Sequence, residues 1–143
     1  MGKQEIRFLT ITRSDYEQIV HQAREHLPIE CCGILAGYSD GLKAQVIEVY
    51  PMRNVDQSPV HFSLDPEEQF KVYYDLKDKG LTLLGNYHSH PQTPAKPSEE
   101  DIRLAYDPEA IYVIISLAEA EPVVKAFWIR EGQYQEIVIQ MID

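Results

Sequence analysis

Cysteine, long apolar runs and targeting signals are scarce or missing in this sequence, and each shortage argues against a class of protein. The only two cysteines, Cys31 and Cys32, are adjacent and therefore poor disulfide partners for each other, which fits a reduced compartment. We expect both to be small buried packing residues. No stretch approaches the roughly 20 apolar residues of a spanning helix, and the N-terminus lacks the apolar core of a signal peptide. The sequence therefore predicts a cytoplasmic protein.

Basic residues are also few: 13 lysines and arginines stand against 23 acidic residues, and the formal net charge is −10. Nucleic acids and anionic membranes both require a basic face, so neither is expected as a partner. An acidic surface would suit a basic protein, although solubility alone also explains it. The 143 residues, 44% of them hydrophobic, have the size and composition of one globular domain, and no repeat or linker divides them. We predict one domain over residues 1–143.

Apolar periodicity and turn signals predict the element order β-α-β-β-α-β-α-β-β-β. This order indicates an α/β fold in which helices flank a single mixed sheet. The predicted strands are residues 5–12, 29–38, 42–50, 81–87, 111–117, 123–130 and 134–142. The predicted helices run from Ser14 to before Pro28, over residues 65–80 and over residues 98–106.

Several local details accompany these elements. Ser14 is expected to cap the first helix, with Glu17 reaching back, and Asp65 followed by Pro66 is a strong start for the second. The apolar side of that second helix is expected to consist of Phe70, Tyr73, Tyr74 and Leu76. Residues 60–64 could form a short edge strand, and 134–142 could be an edge that pairs between copies.

Two histidines lie two residues apart at the end of a predicted strand. Because successive side chains of a strand point to opposite faces, His88 and His90 point the same way. Catalytic zinc sites commonly take three protein ligands, and no histidine follows His90. The third ligand is then best supplied by Asp101, since Ser98 is a natural N-cap that places Asp101 at the third helical position. There the helix dipole favours an ionised carboxylate. Taken separately, His-x-His is a weak signal and Ser-x-x-Asp is a common capping box.

Glu30 is unusual because it lies beside a run of small apolar residues, where an unpaired carboxylate costs several kcal/mol. One interpretation places it at a solvated strand end or in a pair with a lysine or arginine. The other gives it work in catalysis, since zinc can lower the pKa of a bound water to about 7 and a nearby glutamate can move the protons that amide hydrolysis requires. The remaining histidines, His21, His26 and His61, are expected at the surface.

Taken together, these residues resemble the JAMM (MPN+, Mov34/PAD-1) metalloproteases. The run His88-Ser89-His90-Pro91, the ten residues between His90 and Asp101, and Ser98 three positions before the aspartate match the HxHP…SxxD motif of that family. The upstream glutamate of the motif corresponds to Glu30. The resemblance covers essentially the whole chain and implies the family's cytidine-deaminase-like α/β sandwich.

The resemblance also implies roles. His88, His90 and Asp101 would ligate one Zn²⁺, Glu30 would act on the zinc-bound water as general base and then general acid, and Ser98 would help to hold the oxyanion. Family members hydrolyse peptide or isopeptide bonds at the C-terminus of ubiquitin or a ubiquitin-like protein. The chain lacks the insertions of deubiquitinating members and resembles the compact prokaryotic form, which implies a ThiS/MoaD-type sulfur carrier as substrate. Two alternatives remain: a zinc hydrolase of a small amide conjugate, and a non-catalytic MPN-type binding scaffold.

Overall fold

Seven strands and three helices follow one another along residues 5–143, the part of the chain that the computed structural model describes; residues 1–4 of the predicted domain lie outside it. The order of the elements is the predicted one. They are β1 (Phe8–Thr12), α1 (Arg13–His26), β2 (Cys32–Asp40), β3 (Lys43–Met52), α2 (Pro66–Asp78), β4 (Thr82–His90), α3 (Glu99–Arg103), β5 (Ile111–Ser116), β6 (Val123–Arg130) and β7 (Gln133–Ile142). None of the helices within residues 5–143 is long and apolar enough to cross a membrane.

The strands form one mixed sheet in the spatial order β1-β3-β2-β4-β5-β6-β7, and the sheet closes on itself. Closure is made by β1 and β7, which pair in parallel from Phe8↔Val138 to Thr12↔Ile142. The prediction of an α/β domain with a mixed sheet and few helices is confirmed. The closure of the sheet was not predicted, and the edge position expected for residues 134–142 is wrong, because β7 pairs with β1 as well as with β6. Alternation along a strand reports which face is buried, but it does not report which strand pairs with its edge.

The helix starts follow local capping rules. Thr12, the last residue of β1, caps α1, and its Oγ1 accepts a hydrogen bond from Asp15 N at 3.1 Å. The predicted cap at Ser14 is therefore wrong, because the helix follows the strand with no loop between them. Asp65 caps α2 as predicted, with Pro66 at the first turn.

The packing face of α2 differs from the prediction. Phe70 and Tyr74 are 65% and 70% exposed, whereas Leu76 is buried, and Val72, one turn before it, packs with the buried clusters beneath the helix. Residues four apart lie on one face of a helix, so Val72 and Leu76 form the contact stripe and the aromatic residues face outward. Of the predicted apolar side, only Leu76 is buried.

Burial in two different clusters accounts for both cysteines: Cys31 belongs to the main core, and Cys32 to the cluster beneath α2. Cys31 and Cys32 are fully buried free thiols, as predicted for packing residues. Burial raises the pKa of Cys31 to about 11 and that of Cys32 to about 12. Neither thiol is therefore a nucleophile near neutral pH.

The segment between β3 and α2 contains no strand, so the expected edge strand at residues 60–64 is wrong. Its ends meet in a single bridge, Asn54↔Leu64. Its order comes instead from side-chain hydrogen bonds, chiefly those of Asn54. Helix α3 is also shorter than predicted, ending at Arg103. What positions the site is β4, which lies between β2 and β5 and ends in the His-Ser-His sequence.

Candidate metal centre

The two histidines at the end of β4 lie side by side in the interior. His88 and His90 are 2% and 5% exposed. Their Nε2 atoms are 3.1 Å apart, and the two rings are tilted by 60°. The predicted arrangement, with both rings on one face of the strand, is present.

The capping box of α3 brings in the carboxylate. Ser98 Oγ accepts a hydrogen bond from Asp101 N, and Asp101 Oδ2 accepts one from Ser98 N, both at 3.0 Å. This is the predicted third helical position for the aspartate. Its carboxylate oxygens lie 3.2 Å from His88 Nε2 and 3.1 Å from His90 Nε2. Two short-range features, a strand end and a helix cap, thus place three ligand-type groups together.

The spacing of these atoms fits a metal ion. Edges of 3.1 to 3.2 Å join the two Nε2 atoms and the carboxylate. A tetrahedron with edges of about 3.3 Å has its centre about 2.0 Å from each corner, which is the Zn–N bond length. His90 Nδ1 lies 2.9 Å from Pro94 O, so its N–H can donate there and leave Nε2 free for a metal. The residues therefore fit a divalent cation held by two imidazoles and one carboxylate.

Charge in the cluster favours the ligating form of the aspartate. Burial by itself would raise the pKa of the Asp101 carboxyl, but hydrogen bonds from His88 and His90 outweigh it and hold that pKa far below its ordinary value. Burial by itself would lower the pKa of His90, but the hydrogen bonds to Asp101 and Pro94 outweigh it, and the pKa is raised. Asp101 is therefore ionised at neutral pH, as metal binding requires.

Glu30 lies just before β2 and is 5% exposed. Burial raises the pKa of its carboxyl to about 8; His90 acts in the opposite direction, and Asp101 and Glu100 add to the rise. No ion pair of Glu30 with a lysine or arginine occurs in the described part of the chain. The solvated or paired interpretation of Glu30 is therefore wrong. The carboxyl is buried and interacts electrostatically with His90 and Asp101.

Ser89, between the two histidines, ties their strand to the residue after Glu30. Its Oγ accepts a hydrogen bond from Cys31 N at 2.8 Å, and its own N donates to Cys31 O at 3.1 Å. Ser89 is fully buried. No role was predicted for this serine, although its place inside His-x-His was a visible signal.

A cleft of about 420 Å³ opens beside His88 and Asp101. One wall comes from the segment before α2, where Phe62 stacks on His88 with ring centroids 4.6 Å apart and planes 20° apart. Another part of the lining comes from the residues just after α3, including Leu104 and Tyr106. No sequence pattern pointed to Phe62, because a stack between residues 26 positions apart leaves no periodic signal.

The other histidines stay outside the cluster of His88, His90 and Asp101. His21 is exposed and pairs with Glu25 at 3.0 Å. His61 is also exposed, as predicted, but its Nδ1 lies 2.6 Å from Glu100 Oε1 and links the segment before α2 to α3. His26 is an exposed residue at the end of α1.

Similar proteins align with this sequence over most of its length. A CysO-cysteine peptidase from Mycobacterium tuberculosis is 31% identical over 139 residues, covering 95% of this chain and 93% of its own. A desampylase from Haloferax volcanii is 35% identical over 113 residues, covering 76% and 80%. The solution structure of a protein from Desulfitobacterium hafniense is similar with a TM-score of 0.88 and 48% identity, covering 94% of this chain and 93% of that one.

The family assignment rests on the match of a sequence model described as prokaryotic homologs of the JAB domain. It covers residues 12–130, which include the Glu30, His-x-His-Pro and Ser-x-x-Asp positions. The resemblance to compact prokaryotic JAMM/MPN+ proteins is thereby confirmed: the chain belongs to the prokaryotic JAB family.

Proposed function

We propose that this protein is a zinc-dependent hydrolase that cleaves peptide or isopeptide bonds at the C-terminus of a ubiquitin-like protein of the sulfur-carrier type. The observation that carries the proposal is the convergence of His88, His90 and Asp101 within bonding distance of one point, next to the buried carboxyl of Glu30. Relatives named CysO-cysteine peptidase and desampylase support this class of substrate. We assign residues 1–143 to one JAMM/MPN+ metallopeptidase domain of the cytidine-deaminase-like class.

His88 Nε2, His90 Nε2 and a carboxylate oxygen of Asp101 would hold the zinc. Two imidazoles and one carboxylate are a ligand set of catalytic zinc sites. When bound, zinc would polarise the scissile carbonyl and bring the pKa of a water toward about 7. Pro94 O, by accepting the Nδ1 proton of His90, keeps that ring in the ligating tautomer.

Glu30 moves the protons of the reaction. Its carboxylate accepts one proton from the attacking water and then delivers a proton to the leaving nitrogen, so that the C–N bond breaks to a carboxyl group and an amine. The pKa of about 8 that burial gives this carboxyl makes it a good acid near neutrality. A cation held by its neighbours would lower that pKa and let it also serve as the base.

Ser98 stabilises the carbonyl oxygen as charge develops on it. The Oγ atom already accepts a hydrogen bond from Asp101 N, so its O–H remains free to donate. A fixed hydroxyl donor at an oxyanion contributes more than a mobile water, since it needs no reorganisation during the reaction.

The cleft suits an extended tail. Its walls carry apolar and aromatic side chains, among them Phe62, Leu104 and Tyr106, and it begins at His88 and Asp101. A chain end laid along this cleft brings its terminal carbonyl to the cluster while its globular body stays outside. The architecture therefore supports a protein substrate presented by its C-terminus.

The test uses the zinc-loaded protein and a ThiS- or MoaD-like carrier in two forms, one extended past its diglycine by a peptide bond and one joined to a lysine side chain. We expect release of the carrier ending in diglycine, which mass spectrometry detects. The rates of cleavage of the two substrates show whether the peptide or the isopeptide bond is preferred. If the protein holds zinc but cleaves only a small N-acyl amino acid, the substrate proposal is wrong. If it does not retain zinc, a binding scaffold replaces the enzyme.

A further inference from the structure

Asn54 stands at the start of the segment between β3 and α2, and it is 4% exposed. Its Nδ2 donates to Glu30 O at 3.1 Å and to His61 O at 2.8 Å. Its Oδ1 accepts from Asp56 N at 3.0 Å and Ser63 N at 3.2 Å. A side-chain amide offers two donor hydrogens and two acceptor lone pairs. Asn54 uses all of them, and all four partners are main-chain groups.

Residues 54–64, which we call the cleft wall, touch the site at two further points. Phe62 stacks on His88, and Glu30 N donates to Ser58 O at 3.0 Å. The main chain of Glu30 is thus bonded to the cleft wall through both its N–H and its C=O. The strand β2 begins only at Cys32, so the sheet does not hold the carbonyl of Glu30.

We propose that Asn54 is a positioning residue for Glu30: by bonding the Glu30 carbonyl and three groups of the cleft wall, it fixes the proton-transferring carboxyl relative to the cleft. The inference rests on the proposed function and deepens it. The hydrogen bonds of the Asn54 side chain go to Glu30, His61, Asp56 and Ser63, and none goes to a metal ligand.

Loss of Asn54 should affect proton transfer and leave metal binding intact. Without the amide, the Glu30 carbonyl and the cleft wall lose their shared anchor, and a displacement of about 1 Å at a reacting group can lower a rate about 100-fold. The ligands His88 and His90 come from β4 and Asp101 comes from the α3 cap, and none of the hydrogen bonds of Asn54 goes to these three residues.

The matched control is Ser58→Ala, from the same segment. Ser58 Oγ accepts hydrogen bonds from Val60 N at 3.1 Å and His61 N at 3.2 Å, so its loss loosens the cleft wall. The main-chain carbonyl that accepts from Glu30 N is kept. Asn54→Ala, Asn54→Asp, Ser58→Ala and the double variant Asn54→Ala/Glu30→Gln are compared with wild type. Each is measured for zinc content, thermal unfolding, kcat and KM.

We expect Asn54→Ala to keep full zinc and to lose about 10- to 100-fold in kcat, while Ser58→Ala loses no more than about threefold. In the Glu30→Gln background, Asn54→Ala should add less than about twofold, because residues that act as a unit are non-additive. Asn54→Asp keeps the volume and the two acceptor bonds but lacks the donors to Glu30 and His61. It should show the same loss in kcat, and it replaces Asn54→Ala in the comparison if that variant does not fold.

Additive losses in the double variant, or an equal loss in Ser58→Ala, would show that Asn54 only stabilises the segment. Unchanged kcat in a folded Asn54 variant would also overturn the inference. Failure of the proposed function looks different: Glu30→Gln would then match wild type whatever residue stands at position 54.

Discussion

The candidate metal centre and the cleft wall beside it are built in different ways. In the metal centre, the contacting pairs of His88, His90 and Asp101 are at most 13 positions apart. In the cleft wall, Asn54 bonds Glu30 across 24 positions and His61 pairs with Glu100 across 39. Short-range rules of strand and cap therefore suffice to gather the ligands. The alignment of Glu30, the proposed proton-transferring group, depends on the completed fold.

The largest effect should follow from a change in the metal centre. His88→Ala removes one of three ligands, so we expect loss of stoichiometric zinc and of hydrolysis, by roughly 10³-fold or more, since the metal supplies the Lewis acid. Zinc content by mass spectrometry and carrier cleavage are measured on the same sample. His21→Ala, an exposed histidine on α1, is the control and should keep both. Full zinc binding by His88→Ala would contradict the ligand assignment.

Ser98 lies beside the same centre, and the proposed mechanism gives it two separable hydrogen bonds, one as helix cap and one to the oxyanion. Ser98→Ala loses the cap, worth about 1 kcal/mol of stability, and also the proposed donor to the developing oxyanion, worth about 100-fold in kcat. Ser98→Thr keeps a hydroxyl for both hydrogen bonds, so its stability and its kcat should stay near the wild-type values. Kinetics and thermal unfolding of the two variants check this. A Ser98→Ala enzyme with wild-type kcat would leave Ser98 as a helix cap alone.

A change in the cleft wall should alter substrate binding more than chemistry. Phe62→Leu preserves an apolar wall but removes the aromatic ring that lines the cleft and stacks on His88. We expect KM to rise about 5- to 10-fold, because the substrate loses about 1 kcal/mol of contact with that ring, and we expect zinc to be retained. Phe70→Leu changes an exposed phenylalanine on α2 and should leave KM within experimental error. If Phe62→Leu instead loses zinc, the stack supports His88 rather than the substrate.

Stability, rather than activity, is what the buried carboxyl of Glu30 should affect in the absence of metal. The pKa of Glu30 rises from 4.5 to about 8 in the folded protein, so between these values the folded state binds a proton that the unfolded state has released. Stability then falls as the pH rises across that window. In metal-stripped protein, Glu30→Gln should therefore be more stable than wild type at pH 8, by several kcal/mol, and nearly equal to it at pH 4.5. Equal unfolding curves at pH 8 would mean that the carboxyl is not destabilised by burial.

Much of the metal centre could be predicted because its information is local. The alternation of β4 aligned His88 with His90, and the Ser98 cap placed Asp101 at the third helical position. Glu30 could be named from its apolar surroundings and the family motif, whereas its burial and its neighbours needed the closed sheet.

The rest of the fold could not be read in this way because it depends on which strand meets which. The apolar pattern of β7 did not show that it pairs with β1, and the outward face of Phe70 and Tyr74 followed from where β4 lies. Asn54 and Phe62 act through partners far along the chain, Glu30 and His88, and a single sequence contains no signal for such contacts.

The most direct test of the central claim compares wild type with Glu30→Gln at matched zinc content on the diglycine-extended carrier. A glutamine at this position would keep the shape of the side chain but could not transfer a proton. We predict one zinc per chain in both proteins and a kcat lower by about 10²- to 10⁴-fold in Glu30→Gln, the usual contribution of a general acid–base group. Equal kcat values at equal zinc would contradict the assignment of Glu30 as the proton-transferring group.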